Sequence, residues 1–142
     1  MSSLTGLFEK FPYWLTALVA RLALGLTFWN SGRTKVDGWN IFAVNDKTKF
    51  LFGEEYMLPF LSPEMAALLA QIAEHTLPVL LIIGLGTRYA ALGLLAMTVV
   101  IQIFVYPQSY VVHGTWAAIL LMLVSQGAGK ISVDSQLGHR FG

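Results

Sequence analysis

Arg21 and Glu74 each lie midway along an apolar run, Arg21 between about Pro12 and Gly32 and Glu74 between about Pro63 and Gly84. A formal charge at the centre of a membrane-spanning helix costs about 2.5–3.5 kcal/mol on insertion scales. Two opposite charges at similar depth in one small chain therefore predict a buried ion pair. Gln71 and His75 share a broad helical face with Glu74. Gln102 and Tyr106 follow on a later apolar run, in a polar stripe led by Thr98, and His113 and Trp116 sit early in the last run. Imidazole, amide, phenol and indole can each donate a hydrogen bond to a bound ligand. Arg21 and Glu74 are thus the expected polar centre, with Gln71, His75, Gln102, Tyr106, His113 and Trp116 as candidate ligand-binding residues. The same pair could equally serve only to set helix register. No catalytic residue is assigned.

The elements that must position these groups are long and apolar. Of 142 residues, 56% are hydrophobic and 12% charged, with a mean hydropathy of +0.64. A soluble domain carries about a quarter charged residues, so the deficit points to lipid as solvent. Four stretches, about 12–32, 63–84, 88–107 and 109–127, approach the roughly 20 residues needed to cross a hydrocarbon core. The expected fold is all-α, a single integral membrane domain over residues 1–142: an antiparallel four-helix transmembrane bundle with one long loop between its first two helices. The first stretch is expected to stay as a helix, because its leader has no basic cluster and the run holds Arg21.

Several chemistries are excluded or disfavoured. With no cysteine the chain has no disulfide, thiolate metal site or iron–sulfur cluster of its own. A tetrahedral zinc site lacks ligands, and no metal site or covalent cofactor is expected. Met57, Met65, Met97 and Met122 form no spaced copper(I) cluster. A bis-histidine haem is disfavoured, since the third histidine, His139, lies in the tail. A net charge of +1 makes no case for nucleic acid.

Along the chain, Ala17, Gly25 and Gly32 fall near the Arg21 face and would admit a close neighbour. Residues 33–62 are polar up to Lys49 and then apolar, which suggests an interfacial lid or, equally, a loop anchored by its aromatics. Pro78 removes the helical bond to the carbonyl of Glu74. Trp14, Trp29, Trp39 and Trp116 are expected chiefly as interface anchors. Basic residues are balanced between the two ends of the spans, so charge does not orient the bundle.

The segment Arg21-Leu-Ala-Leu-Gly25, with Phe28 and Gly32, resembles the first-helix signature of the DoxX family of small four-helix membrane proteins. Three further blocks agree: Glu74 with Pro78-Val-Leu-Leu-Ile-Ile-Gly84-Leu-Gly-Thr-Arg88, then Met97-Thr-Val-Val-Ile-Gln102-Ile-Phe-Val-Tyr-Pro107, then His113-Gly-Thr-Trp116. Ser31-Gly32-Arg-Thr-Lys35-Val-Asp-Gly-Trp39 and the loop from Leu51 to Pro59 are similar to a subgroup often encoded beside maturation systems for copper-binding peptides. Many members carry histidine where this chain has Ser31.

The resemblance implies a multi-pass protein of the bacterial inner membrane with cytoplasmic termini, and a link to quinone-coupled or membrane-bound redox systems. The expected function is a subunit of a redox or metal-stress system that interacts with a quinone. Its expected partners are lipid and a membrane or periplasmic redox or metal-handling protein, and homo-oligomers are compatible with the sequence. The alternatives are a transporter or exporter component and a stand-alone quinone-linked oxidoreductase.

Overall fold

The structure is a computed structural model that describes residues 4–55 and 58–138. Its helices are α1 (Leu4–Phe8), α2 (Tyr13–Arg33), α3 (Asp46–Glu54), α4 (Pro63–Ile83), α5 (Thr87–Phe104), α6 (Tyr110–Gln126) and α7 (Val133–Gln136), with no strand among the described residues.

Local chemistry explains where the long helices begin and end. Ser62 caps α4, accepting from Met65 N–H, and Pro63 fills a first-turn position that needs no donor. Gly84 closes α4 in the left-handed region (φ 75°). Leu85 N–H returns to the Leu80 carbonyl and Gly84 N–H to that of Leu81, the Schellman pattern. A second left-handed glycine, Gly86 (φ 58°), starts α5, so the α4–α5 turn is short. α5 ends at Phe104 rather than 107: Val105 and Tyr106 N–H both fold onto the Ile101 carbonyl, and Pro107 keeps Tyr106 from continuing the helix.

α2 packs chiefly on α4 and α5 on α6, α4 and α5 join the two pairs, and α3 lies against α4. The main core is built from Leu24, Phe28, Leu81, Leu94, Leu120 and Leu123, and a smaller cluster gathers Phe52, Ala66 and Ala67 under the loop. Outward positions are also apolar: Leu26, Val79, Leu92 and Leu121 are each about half exposed. α4 and α5 are long and apolar enough to cross a membrane, and α6 is a shorter apolar helix.

The expected loop 33–62 holds a helix. Asn45 caps α3 by accepting from Thr48 N–H, so the helix starts in the polar half and carries Phe52 inward. Tyr56 and Met57 lie outside the described residues.

Glycines set the register of α2 on α4. A Cβ on Gly25 would strike the Ile82 side chain, and one on Gly32 would sit 2.9 Å from Glu74 Cβ and 3.0 Å from its carbonyl oxygen. At Gly32 the obstacle includes backbone, which cannot rotate away. Gly32→Ala is expected to push the helices apart and cost about 1–3 kcal/mol, read as a lower melting temperature in detergent. Gly114→Ala is the control, since its methyl meets nothing within 4 Å; equal melting of the two variants would refute the contact.

Candidate functional site

Arg21 and Glu74 do not form the expected pair. The Arg21 guanidinium, 2% exposed, donates Nε to the Leu81 carbonyl (3.0 Å), one terminal nitrogen to Ala128 and Ile131 (2.8 Å each) and the other to Ile82 (3.0 Å). Leu81 and Ile82 belong to the last turn of α4, whose carbonyls have no partner within the helix. A cation there also meets the negative end of the helix dipole. Arg21 is therefore a cap that ties α2, α4 and the segment after α6 together.

Helix stagger is the reason. If α2 and α4 ran antiparallel with flush ends, Tyr13 would face Ile83 and Arg21 would face residue 75. Instead Arg21 meets Leu81 and Ile82 while Gly32 meets Glu74. The two charges are separated by roughly 10–15 Å of helix rise. The start of α2 overhangs α4 and is received by the chain after α6: Tyr13 Oη donates to the Gly127 carbonyl (2.7 Å), and Gly129 lies against Trp14 and Ala17.

Asp134, buried at 1% exposure, completes this end. Its carboxylate accepts from Gly86 N–H (2.7 Å) and Thr87 N–H (2.9 Å), capping α5 from far along the chain. Arg88 donates to the Val124 and Ser125 carbonyls at the end of α6 (3.1 and 2.8 Å). The charges at this end are spent on helix termini.

The other overhang builds a different site. Ser31 Oγ donates to Glu74 Oε1 (2.9 Å), and Lys35 Nζ lies 2.6 Å from Glu74 Oε2 as a close ion pair. Lys35 also donates to Ser31 Oγ (3.1 Å) and to the Ser31 carbonyl (3.3 Å). The side chains of Lys35 and Glu74 are 14% and 3% exposed. This cluster lines a cavity of about 420 Å³ whose other walls are apolar: Ala66, Leu69, Ala70 and Ala73 of α4, Ala96, Met97, Val100 and Ile101 of α5, with Phe52, Leu58, Phe60, Leu61, Val105 and Tyr106 towards the loop. Alanines at 66, 70 and 73 leave the space that larger side chains would fill. Three polar groups on an apolar wall are suited to hold the polar end of a lipid-soluble molecule.

Of the other sequence candidates, only Tyr106 lines this cavity. His75 bridges α4 to the end of α2: its Nδ1 meets the Gln71 carbonyl (2.7 Å), its Nε2 meets an Arg33 terminal nitrogen (3.3 Å), and its ring is edge-on to Trp29. A carbonyl can only accept and a guanidinium can only donate, so these partners suit the tautomer with its proton on Nδ1. Gln71 is fully buried, with both side-chain amide atoms lacking a protein partner.

Gln102 and His113 form a separate clip. His113 Nδ1 meets Gln102 Oε1 (2.7 Å) while Gln102 Nε2 donates to the Pro107 carbonyl (2.7 Å), pinning the α5–α6 turn. Trp116, half-buried, packs between Phe28 and His113. His139 lies outside the described residues.

Sequence reasoning missed Lys35, Ser31 and Asp134. Ser31 and Lys35 stand at i and i+4, so one helical turn places them together, and both occur in the Ser31–Trp39 block. Asp134 carries no local signal, because its partners are 47 and 48 residues away.

The chain is 31% identical over 130 residues to an uncharacterized protein of Haemophilus influenzae, covering 85% of this chain and 82% of that one. No solved structure matches it. The DoxX family profile matches residues 16–107, from the first turn of α2 through the end of the α5 region and across Arg21, Ser31, Lys35 and Glu74. With most of its length matched and two helices apolar enough to span, the chain belongs to the DoxX family of membrane proteins.

Proposed function

We propose that the chain is an antiparallel four-helix bundle of the bacterial inner membrane, with cytoplasmic termini. In this reading it serves as a quinone-interacting subunit of a redox or metal-stress system, beside a membrane or periplasmic partner that handles electrons or metal. One observation carries this reading: a single polar cluster, Ser31–Lys35–Glu74, on the wall of an otherwise apolar cavity of about 420 Å³. The polar centre assigned to Arg21 and Glu74 from sequence thus becomes Ser31, Lys35 and Glu74, with Arg21 left to the scaffold.

A quinone supplies two-electron, two-proton carrying capacity when bound. The residues supply the rest. Lys35 Nζ is the donor that can turn to a carbonyl oxygen, giving up its long 3.3 Å bond to the Ser31 carbonyl, while Glu74 and Ser31 Oγ hold the ammonium in place. The apolar walls keep water from competing for this donor. Tyr106 lies on the same cavity, placing a phenol within the lining.

The test is saturable binding of a decyl-benzoquinone to the purified chain in detergent, followed by tryptophan fluorescence. Ser31→Ala removes the hydroxyl that links Lys35 to Glu74 and is expected to weaken binding about fivefold, the worth of one ordinary hydrogen bond. Absence of saturable binding to the unaltered chain would overturn the reading. Turnover of the quinone by the purified chain with an added reductant would replace the subunit with a stand-alone oxidoreductase.

A further inference from the structure

α4 and α5 are tight near their turn and open towards the loop. At the tight end a Cβ on Gly93 would lie 2.9 Å from Leu77 Cδ1. Beyond it α4 offers Ala73, Ala70 and Ala66 to the cavity, and α5 cannot close the gap they leave. The cavity therefore reaches the outer surface sideways. Its lining includes Leu69, 49% exposed, and the exposed Ala96, one from each helix. Apolar side chains continue outward from it, Val99 at 47% and Ile103 at 59% exposure. On the loop side the Phe60 ring, 59% exposed, lies edge-on to Phe104 at 5.6 Å. The inner end holds one cation and one anion, Lys35 and Glu74, whose charges cancel.

From this geometry we infer that the site takes a neutral carbonyl compound with a long alkyl or isoprenoid tail, which reaches it from the bilayer through the gap between α4 and α5. The inference rests on the quinone reading and adds the path and the tail. The head lies at Ser31, Lys35 and Glu74. The tail runs along the alanines of α4 and leaves between Leu69 and Ala96 into lipid. A carboxylate or phosphate head is disfavoured, because Glu74 already neutralises Lys35 and would repel a second anion at close range.

Two measurements test it. The unaltered protein is irradiated with a benzoquinone carrying a diazirine on its alkyl tail, and the labelled peptides are mapped. Labelling is expected in α4 and α5, around Leu69, Ala73, Ala96 and Val100; labelling confined to α2 or α6 overturns the path. In Ala73→Phe the ring fills the gap, and the ratio of affinities for decyl-benzoquinone over tail-less benzoquinone is expected to fall about tenfold, equivalent to about 1.4 kcal/mol. Equal losses for both probes overturn the role of the gap. Binding of neither probe to the unaltered protein overturns the quinone reading and this inference with it, whereas binding with labelling elsewhere overturns this inference alone. An anionic long-chain carboxylate that competes as well as the quinone overturns the selection for a neutral head.

Discussion

Arg21→Leu is expected to be the most damaging single substitution in the chain, costing about 3–5 kcal/mol of stability in detergent. The figure follows from four hydrogen bonds made by one charged donor group, each worth about 1.5–3 kcal/mol and not fully additive. Their loss strands the Ile82, Ala128 and Ile131 carbonyls and leaves that of Leu81 with Gly84 N–H alone; all four otherwise meet the guanidinium at 2.8–3.0 Å. Lysine is no substitute, because a single ammonium cannot reproduce a planar fork aimed at two segments. Thermal melts of Arg21→Leu, Glu74→Leu and the double variant measure whether the charges are coupled. Groups without shared partners add to within about 0.5 kcal/mol, and that is the result expected. If Glu74→Leu restored stability to the Arg21 variant, the two charges would be partners and the cap would be the wrong account.

The second large effect concerns Lys35. Lys35→Met leaves the Glu74 carboxylate 3% exposed with Ser31 as its remaining hydrogen-bond donor. Breaking one partner of a buried pair costs about 3–5 kcal/mol, and the partial exposure of Lys35 lowers this to about 2–4 kcal/mol. Replacing both partners by apolar residues is often nearly neutral. Lys35→Met with Glu74→Leu should therefore melt close to the unaltered protein while binding decyl-benzoquinone at least about tenfold more weakly. That combination separates a site from a scaffold. If the double variant bound the quinone normally, the polar cluster would serve only the fold.

The extents of the helices were legible in the sequence because local signals produce them. The runs 63–84 and 109–127 became α4 and α6 to within a residue at each end, as Ser62, Pro63, Gly84 and Gly127 mark where a helix can start or stop. α3 was not legible as a helix, since its polar and apolar halves read as two different stretches and its cap, Asn45, sits in a loop. The glycines at 25 and 32 were legible as a face for a neighbour, and the structure places α4 against them.

The candidate site was legible only in part. Glu74 was visible because a carboxylate inside an apolar run demands a partner, and Tyr106 because its stripe breaks an apolar helix. The identity of the partner was not. Hydropathy reports how deep a charge lies along its own helix and says nothing about how far that helix slides along the next. A slide of several residues moved Arg21 from Glu74 to the end of α4 and brought Lys35, two residues past the end of α2, onto the buried carboxylate.

The sequence by itself therefore determined the solvent, the long helices and the family, each of which follows from composition and from signals a few residues apart. It also determined that Arg21 and Glu74 must each be satisfied inside the protein, because the cost of a bare charge in an apolar span does not depend on topology. Only the tertiary structure decided what satisfies them. Close packing at Gly25 and Gly32 sets one stagger of α2 on α4. That stagger hands Arg21 to backbone carbonyls and Glu74 to Ser31 and Lys35, on the wall of a cavity that the alanines of α4 leave open.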